Sequence, residues 1–403
     1  MVWRALNEIK IFAPIIQNGG RRVVNRLQIP PALKKYFKTL NFYVEYEKDV
    51  SGVPESILNI PALSSIIHFA WAIGYDISIG KIDKDYVDGA EKALGFLRDH
   101  PVFSKMTYPT NIYGTTVENS FGGKKNGLLF SGGVDSTASY IAHRHENPQL
   151  ITIRGIDMPL SWGAYWNRVI NLYKMMNITT IVTNTEEIYT QLHWHYFTVR
   201  ARVVEGYMAG YSFSINRLGV CAPLTVTEGI GDLMMSSTYP SREYGDSRFP
   251  WSKDRINAII DEWLSWADVH VHDVEREYST TEKIKDLIKP YLENHDTPLI
   301  RSCGHVGFLG PQKDKVFNCT RCDKCQRVIG SLAVSGIDPR TCGFNTTEET
   351  YRTMAYELEN NIWNPIYAKY HWSEVKRHLP AVIEDDFGGS REFLEWLRDY
   401  EFD

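Results

Sequence analysis

The chain has 403 residues, 43% of them hydrophobic and 23% charged, close to the globular average, which excludes a disordered tail and a fibrous repeat. A formal net charge of −5 without a long basic run gives no support for a broad nucleic-acid-binding surface. Residues 1–18 lack the apolar block of a signal peptide, and residues 60–74 are too short to span a bilayer. We therefore expect a soluble cytoplasmic enzyme of two or three domains, or of one enlarged core with appendages.

The first 122 residues mix short apolar runs with charged residues and carry no motif of known chemistry. We predict a strand over residues 42–46, buried helical turns over 57–73, and a helix over 83–98, where apolar residues recur with the helical period. The glycine-containing loop at 119–126 marks a boundary. This part is predicted to be an N-terminal α+β extension.

From residue 123 onward, short apolar strands alternate with amphipathic helices. The predicted strands cover residues 127–130, 150–153, 178–182, 232–236 and 268–273. Helices are predicted after residue 133, around residues 165–176, and over roughly 193–215. A capping box at Ser279 opens another helix, which Pro290 ends or kinks. Repeated β–α units of this length favour an α/β fold with a parallel, doubly wound sheet and helices on both faces.

The strongest motif joins the first of these strands to a helix and reads Phe130-Ser131-Gly132-Gly133-Val134-Asp135-Ser136-Thr137. Glycine is favoured where the backbone approaches an anion or takes a positive φ. Free N–H groups and the helix dipole then make the turn a phosphate site, to which Ser131, Ser136 and Thr137 add hydroxyl donors. Asp135 can hold Mg²⁺ or orient the loop. No Lys-Ser/Thr pair follows at the spacing of a Walker A loop.

Residues 131–136 resemble the pyrophosphate-binding loop (PP-loop) of the N-type ATP pyrophosphatases, which cleave ATP to AMP and pyrophosphate while adenylating a substrate. The resemblance implies that residues 131–137 bind ATP. In that family the ends of the second and third strands line the adenosine pocket, so it also implies that Asp157 and Asn184 lie near adenosine. Without the family, these two are polar strand-end residues of a common kind.

Four cysteines form the second motif. Cys303 is followed by Cys319, Cys322 and Cys325 in a C-x15-C-x2-C-x2-C arrangement. Four thiolates, three of them closely spaced, suit a tetrahedral Zn²⁺ ion, and the alternative is a set of free, buried cysteines. The sequence therefore predicts a zinc site in a reducing compartment.

Two alternatives stay open at this motif. The first is an iron–sulfur cluster, but a ferredoxin-type run would have a cysteine at the position of Ile329, followed by proline. The second concerns the remaining cysteines. Cys342 can replace Cys303 as the fourth ligand or be a reactive thiol. Cys221 is predicted to lie in the core.

Two weaker signals are histidine pairs and a lysine. His270 and His272 share one face of a predicted strand, and His193 and His195 form a second pair. Such pairs can bind metal, although on an amphipathic strand they are more often polar-face residues. Lys283 follows the capping box and can meet the α-phosphate of a nucleotide, or be a solvated lysine of the first helical turn.

A PP-loop near the start of the sheet and four cysteines at its C-terminal end together resemble the 7-cyano-7-deazaguanine synthase group. The run from Cys319 to Arg327 is similar to that group's C-x2-C-x2-C-x-R ending, and residues 229–242 resemble its glycine-to-Tyr-Pro segment, with the arginine displaced by one residue. The resemblance covers roughly residues 125–340. Because the substrate signature is imperfect, the deazapurine substrate is not carried over.

These observations predict a division into an extension (1–122), a PP-loop domain (123–300), a zinc-binding Cys₄ region (301–345) and a helical cap (346–403). The predicted cofactors are ATP, Mg²⁺ and a structural Zn²⁺. The expected partners are a small-molecule acceptor and an ammonia or sulfur donor. The formation of a homodimer is left open.

The predicted activity is ATP-dependent adenylation of a substrate carboxylate or amide oxygen, followed by transfer to a nitrogen nucleophile. Asp135, Ser131 and Lys283 are the candidate catalytic residues. One alternative is a sulfur transferase that acts on tRNA or a small molecule. Another is a nucleotide-binding regulatory or defence-associated subunit that carries out no synthesis.

Overall fold

An eleven-stranded sheet forms the centre of the computed structural model, which describes residues 7–100, 103–156, 160–173, 176–190, 213–237, 240, 259–295, 300–303, 316–363 and 365–402. The strands are β1 (Glu8–Ile11), β2 (Ile15–Gln17), β3 (Arg22–Gln28), β4 (Asn41–Tyr46), β5 (Asp76–Asp83), β6 (Ile112–Val117), β7 (Lys125–Leu129), β8 (Gln149–Arg154), β9 (Ile178–Thr183), β10 (Ile230–Ser236) and β11 (His270–Val274). Their order in space is β11-β10-β7-β8-β9-β4-β3-β1-β5-β6, with β2 paired to β3.

The helices are α1 (Glu55–Leu58), α2 (Ile60–Ile73), α3 (Lys84–Asp99), α4 (Val134–His143), α5 (Gly163–Leu172), α6 (Phe213–Glu228), α7 (280–292), α8 (Asp323–Val334), α9 (Glu348–Glu359), α10 (Pro365–Arg377) and α11 (Ser390–Asp399). Helix α7 consists of an α-helical turn (Thr280–Glu282), a π-helical stretch (Lys283–Ile288) and a final turn (Lys289–Leu292). Within the described ranges, no helix combines the length and the apolar character needed to cross a bilayer.

The five strands from β7 to β11 are parallel to one another. Counted along the chain, they lie in the order third, second, first, fourth, fifth. The order reverses between β7 and β10, and such a switch point leaves a crevice outside the carboxyl ends of the strands. The prediction of an α/β fold built on a mostly parallel sheet is confirmed, and all five predicted strands are present.

Helices cover both faces of this parallel half. Successive side chains of a strand point to opposite faces. Leu150 of β8 and Met234 of β10 lie in the core that contains α5, whereas the adjacent Ile151 and Leu233 lie in the core that contains α2 and α6. The alternation places the crevice at the end of the sheet, between two helical layers.

The N-terminal strands continue the same sheet through an antiparallel contact between β4 and β9, in which Val44 lies opposite Thr183. The predicted strand at 42–46 and the predicted helices before residue 100 are present. The sequence did not predict β1, β2, β3, β5 and β6. Charged residues interrupt the apolar pattern of β1, β3 and β5, as the alternating burial of β3 shows, whereas β2 has only three residues and β6 is mostly exposed.

The predicted capping box is present at the start of α7: Ser279 Oγ accepts a hydrogen bond from the Glu282 N–H, and Ser279 N donates to the Glu282 carboxylate. Pro290 does not end the helix, which continues to Leu292 after the π-helical stretch. The helix predicted over roughly 193–215 lies mostly outside the described residues, and α6 begins at Phe213.

The C-terminal helices share one core with α4 and α7. Ala138 of α4, Ile284 of α7, Ile329 of α8 and Phe393 of α11 all belong to this core. The helix that follows the glycine loop is therefore packed against the cysteine region and the chain terminus.

Candidate functional site

The glycine loop lies between β7 and α4, at the switch point of the sheet. Gly132 has a φ of 72°, and a Cβ atom there would lie 2.5 Å from Tyr173 Oη, so the position requires glycine. The N–H of Ser131 donates to Ser136 Oγ at 3.2 Å. This bond folds the loop over the first turn of α4.

Helix α4 presents its N-terminus to the crevice. It begins at Val134, with Gly133 as the N-cap and without a side-chain cap. The first N–H groups of a helix have no partner within the helix, and they attract anions together with the helix dipole. Asp135 and Ser136 line the adjoining cavities, whereas Thr137 is 4% exposed and belongs to the body of the helix.

Two cavities meet at the loop. The first has a volume of about 330 Å³ and lies beyond the ends of β7, β8 and β10, with an apolar wall that includes Ile151, Ile153 and Ile156. The second has a volume of about 130 Å³ and extends between α4, α7, α8 and α10. Both cavities are lined by Ser131, Asp135, Ser136, Arg301 and Lys324.

Cations surround the loop. Arg217 of α6 lines the first cavity, Arg327 of α8 lines the second, and Arg301 and Lys324 line both. Guanidinium and ammonium groups around free backbone N–H groups favour a polyanionic ligand such as a chain of phosphates. The arrangement can therefore bind and orient a phosphorylated molecule at the crevice.

Lys283 is fully buried, with its Nζ atom 3.1 Å from Asp135 Oδ1. The same ammonium donates to the carbonyl oxygen of Ser237. The alternative of a solvated lysine in the first helical turn is therefore wrong. Its position in the π-helical stretch of α7 directs the side chain toward the loop, where it orients Asp135.

Arg301 is a site residue that the sequence did not predict. Its backbone N–H donates to Gly132 O at 2.8 Å, and its Nε donates to Ser131 O at 2.9 Å. Its guanidinium also lies 4.9 Å from the centre of the Trp166 ring. No local pattern distinguishes this arginine, since only the fold brings it to the loop.

The two residues assigned to the adenosine pocket have different outcomes. Asn184 is 4% exposed, and its amide accepts from Tyr43 N at 2.8 Å and donates to Asn41 O at 2.9 Å. Its side chain thus joins the end of β9 to β4 instead of lining either cavity. Asp157 lies outside the described residues, although the nearby Ile156 lines the first cavity.

The four predicted cysteines come together. The Sγ atoms of Cys303, Cys319, Cys322 and Cys325 all lie within 4.8 Å of one another. The Cys319 and Cys325 sulfurs are 3.7 Å apart, close to the ~3.8 Å edge of a tetrahedron with Zn–S bonds of about 2.3 Å. The cluster can therefore bind a metal ion such as Zn²⁺.

Local geometry explains how one segment supplies three of these sulfurs. Thr320 has a φ of 61°, which turns the chain so that the N–H of Cys322 donates to Cys319 Sγ at 3.2 Å. Cys322 is the N-cap of α8, and Cys325 follows in its first turn. Cys303 approaches from the segment that carries Arg301.

The four sulfurs strongly perturb one another's pKa values. Hydrogen bonds from Cys303, and then from Cys322 and Cys325, hold the pKa of Cys319 far below its usual range. Contacts with the other three sulfurs, led by Cys303, raise the pKa of Cys325 far above it. A divalent cation would allow all four sulfurs to ionise, as thiolate ligation requires. Zinc and an iron–sulfur centre both fit four sulfur ligands.

Neither remaining cysteine belongs to the cluster. Cys342 is fully buried, and burial raises the pKa of its thiol to about 11. Its proposed role as the fourth ligand in place of Cys303 is wrong, because Cys303 is the residue within the group. Cys221 is fully buried in the main core, which confirms its prediction.

The histidine pair on β11 lies on the exposed face of that strand. His272 Nε2 is 2.6 Å from Asp232 Oδ1 of β10, and His270 is exposed. Neither belongs to a group of potential metal ligands among the described residues. His193 and His195 lie outside those residues.

The site thus combines a glycine loop, a helix N-terminus, the ion pair of Asp135 with the buried Lys283, Arg301 and a cysteine cluster at one end of the sheet. The sequence predicted the glycine loop and the helix N-terminus together as a phosphate site. It did not predict the contacts that join them to Lys283, to Arg301 and to the cysteine cluster. In comparisons with known proteins, no family model, no curated protein and no solved structure matches the chain.

Proposed function

We propose that the protein binds ATP at the glycine loop and adenylates a carboxylate or amide oxygen of a small substrate, with pyrophosphate as the leaving group. One observation carries the proposal: the loop at residues 131–136 lies at the switch point of the parallel sheet, beside a cavity lined by cations. Ligands of open α/β sheets bind at that point. The resemblance of these residues to the PP-loop adds to the argument.

The two cavities offer places for the parts of the nucleotide. The apolar wall at Ile151, Ile153 and Ile156 suits the base and ribose. The phosphates would lie against the loop N–H groups and the N-terminus of α4, with Arg301 and Lys324 nearby. A site of this kind stabilises charge through donors that are already in position.

In the first step, the substrate oxygen attacks the α-phosphorus of ATP. A bond forms between that oxygen and phosphorus, and the bond to the bridging α–β oxygen breaks, so that pyrophosphate leaves with the electron pair. The loop N–H groups and the surrounding cations stabilise the charge that develops on the phosphates. Asp135 would hold Mg²⁺, and Lys283 orients that carboxylate.

In the second step, a nitrogen nucleophile attacks the activated carbon. AMP leaves with the electron pair of the carbon–oxygen bond, and the nitrogen loses a proton. Neither step needs a protein nucleophile, so the chemistry consists of positioning and charge stabilisation. The four cysteines would hold a structural Zn²⁺, because four sulfur ligands leave no open position on the metal.

The sulfur-transfer alternative has less support. It needs a persulfide-bearing cysteine outside the metal cluster, and Cys342 and Cys221 are both fully buried. A regulatory subunit that binds a nucleotide without synthesis uses the same loop, and it would be indicated by slow turnover with every acceptor tested.

Isotope exchange tests the proposal. Because adenylation is reversible, labelled pyrophosphate should enter ATP when Mg²⁺ and the correct acceptor are present, in a screen of carboxylates and amides. The exchange should depend on the acceptor and should be lost in the Ser131→Ala variant. Exchange that is absent with every acceptor, or that survives in the variant, would count against adenylation at this loop.

A further inference from the structure

Arg301 contacts two consecutive peptide groups of the glycine loop. Its N–H bonds to Gly132 O (2.8 Å), and its Nε bonds to Ser131 O (2.9 Å). In a trans peptide the N–H points away from the C=O. Since both carbonyl groups face Arg301, the N–H groups of Gly132 and Gly133 point away from it. Arg301 therefore sets the orientation of these two loop N–H groups.

The segment that carries Arg301 is fixed to the cysteine cluster. Asn318 Oδ1 accepts from the N–H groups of Ser302 (2.8 Å) and Cys303 (3.1 Å), and its Nδ2 donates to Ile300 O (2.7 Å). Asn318 itself immediately precedes Cys319. The position of Arg301 thus depends on the approach of the two cysteine-bearing segments.

A second contact strengthens this connection. Ser302 Oγ donates to the carbonyl oxygen of Lys324, which lies between Cys322 and Cys325. Arg301 Nη1 also donates to Cys303 O at 3.3 Å, so the guanidinium contacts the loop and the cluster segment simultaneously. Arg301, Ser302, Cys303 and Asn318 are each at least nine-tenths buried. The path from cluster to loop is short and continuous.

We propose that metal binding at the four cysteines and polyphosphate binding at the loop are coupled, with Arg301 as the positioning residue that transmits the coupling. The inference rests on the proposed function for the identity of the polyphosphate. A metal ion that fixes Cys303 against Cys319 places Arg301 so that it orients the loop N–H groups. By linkage, the nucleotide raises the affinity for the metal by the same factor as the metal raises the affinity for the nucleotide.

The test measures the apparent zinc affinity of the full chain by competition with a chelator, with and without a saturating non-hydrolysable ATP analogue. The analogue should raise the zinc affinity of the wild type by about 5-fold or more, the lower end of typical coupling. In Arg301→Gln, which should bind a full equivalent of zinc, a saturating analogue should leave the zinc affinity unchanged. Arg340→Gln is the control, because Arg340 is half-exposed and paired with Asp338.

The outcomes separate the two proposals. An equal shift in wild type and Arg301→Gln overturns the transmission of the coupling through Arg301, since stabilisation of the folded state by any ligand would survive the substitution. A wild type that binds no analogue refutes ATP binding, and the inference falls with it. If Arg301→Gln does not fold, Arg301→Lys replaces it: the ammonium keeps the charge but cannot reproduce the Nε geometry at Ser131, so the shift should shrink.

Discussion

The carboxylate of Asp135 lies 3.1 Å from the ammonium of Lys283, whose side chain is fully buried. A buried charge is tolerated only with a partner, and removal of that partner leaves the penalty of desolvation uncompensated. Asp135 therefore stabilises the fold in addition to its proposed role at the phosphates. The sequence alone did not indicate this second role.

We expect Asp135→Asn to lower turnover by about 10²-fold and also to lower the free energy of unfolding by about 1–3 kcal/mol. The upper values for buried pairs do not apply, because the Asp135 side chain is 28% exposed. Adding Lys283→Met should restore part of the stability but none of the turnover. Urea denaturation and pyrophosphate release measure the two effects, and fully additive losses of stability would contradict the pairing.

Ser131→Ala is a cleaner probe of the loop, because the hydroxyl has only weak contacts, with Ser136 Oγ at 3.4 Å and Gly133 N at 3.4 Å. Turnover should fall by about 10²-fold, with the melting temperature almost unchanged. Ser51→Ala, at an exposed serine, is the control. Near-normal pyrophosphate release from the Ser131 variant would mean that this hydroxyl does not contribute to charge stabilisation.

At the scale of elements, the loop depends on a glycine that two constraints impose. Gly132→Ala combines a positive φ with a Cβ 2.5 Å from Tyr173 Oη, so we expect a loss of about 2–5 kcal/mol of stability. Gly229→Ala is the matched control: its φ is 70°, and no atom lies within 4 Å of the added carbon, so strain alone should cost about 1–2 kcal/mol. Equal losses, measured by chemical denaturation, would show that Tyr173 does not restrict the loop.

The cysteine cluster should hold one metal ion and stabilise the irregular segment before α8. Cys322→Ser removes a ligand, so zinc content should fall from about one equivalent and the melting temperature should decrease. Cys342→Ser is the control, because that thiol is equally buried but lies outside the cluster. Metal analysis of anaerobically purified protein decides the identity. Iron with acid-labile sulfide would replace the zinc assignment and favour sulfur transfer.

The elements of the parallel half could be predicted because β7, β8, β9 and β10 contain short apolar runs and β11 alternates polar with apolar residues. The strands before β7, except β4, could not be predicted, because they form by pairing with other strands of the sheet and not from a local sequence pattern. The π-helical stretch of α7 is a further example. From the sequence, Pro290 predicts the end of a helix or a kink in it. In the structure the helix continues past Pro290, and the preceding turns are widened into a π-helix.

At the scale of the whole molecule, the site forms where distant segments meet. Lys283 contacts Asp135 across 148 residues, and Arg301 contacts Ser131 across 170. The sequence predicts residues 131–136 and the cysteines because each motif is local. It predicts neither long-range contact, because neither residue has a distinctive neighbourhood along the chain.

The products of ATP turnover test the central claim most directly. Purified protein is incubated with ATP and Mg²⁺, alone and with the acceptor found in the exchange screen, and the products are separated by ion-exchange chromatography. We expect AMP and pyrophosphate in equal amounts, because the loop lacks the lysine of a Walker A motif and the proposed attack is on the α-phosphorus. ADP and inorganic phosphate as the main products would contradict the assignment of the loop.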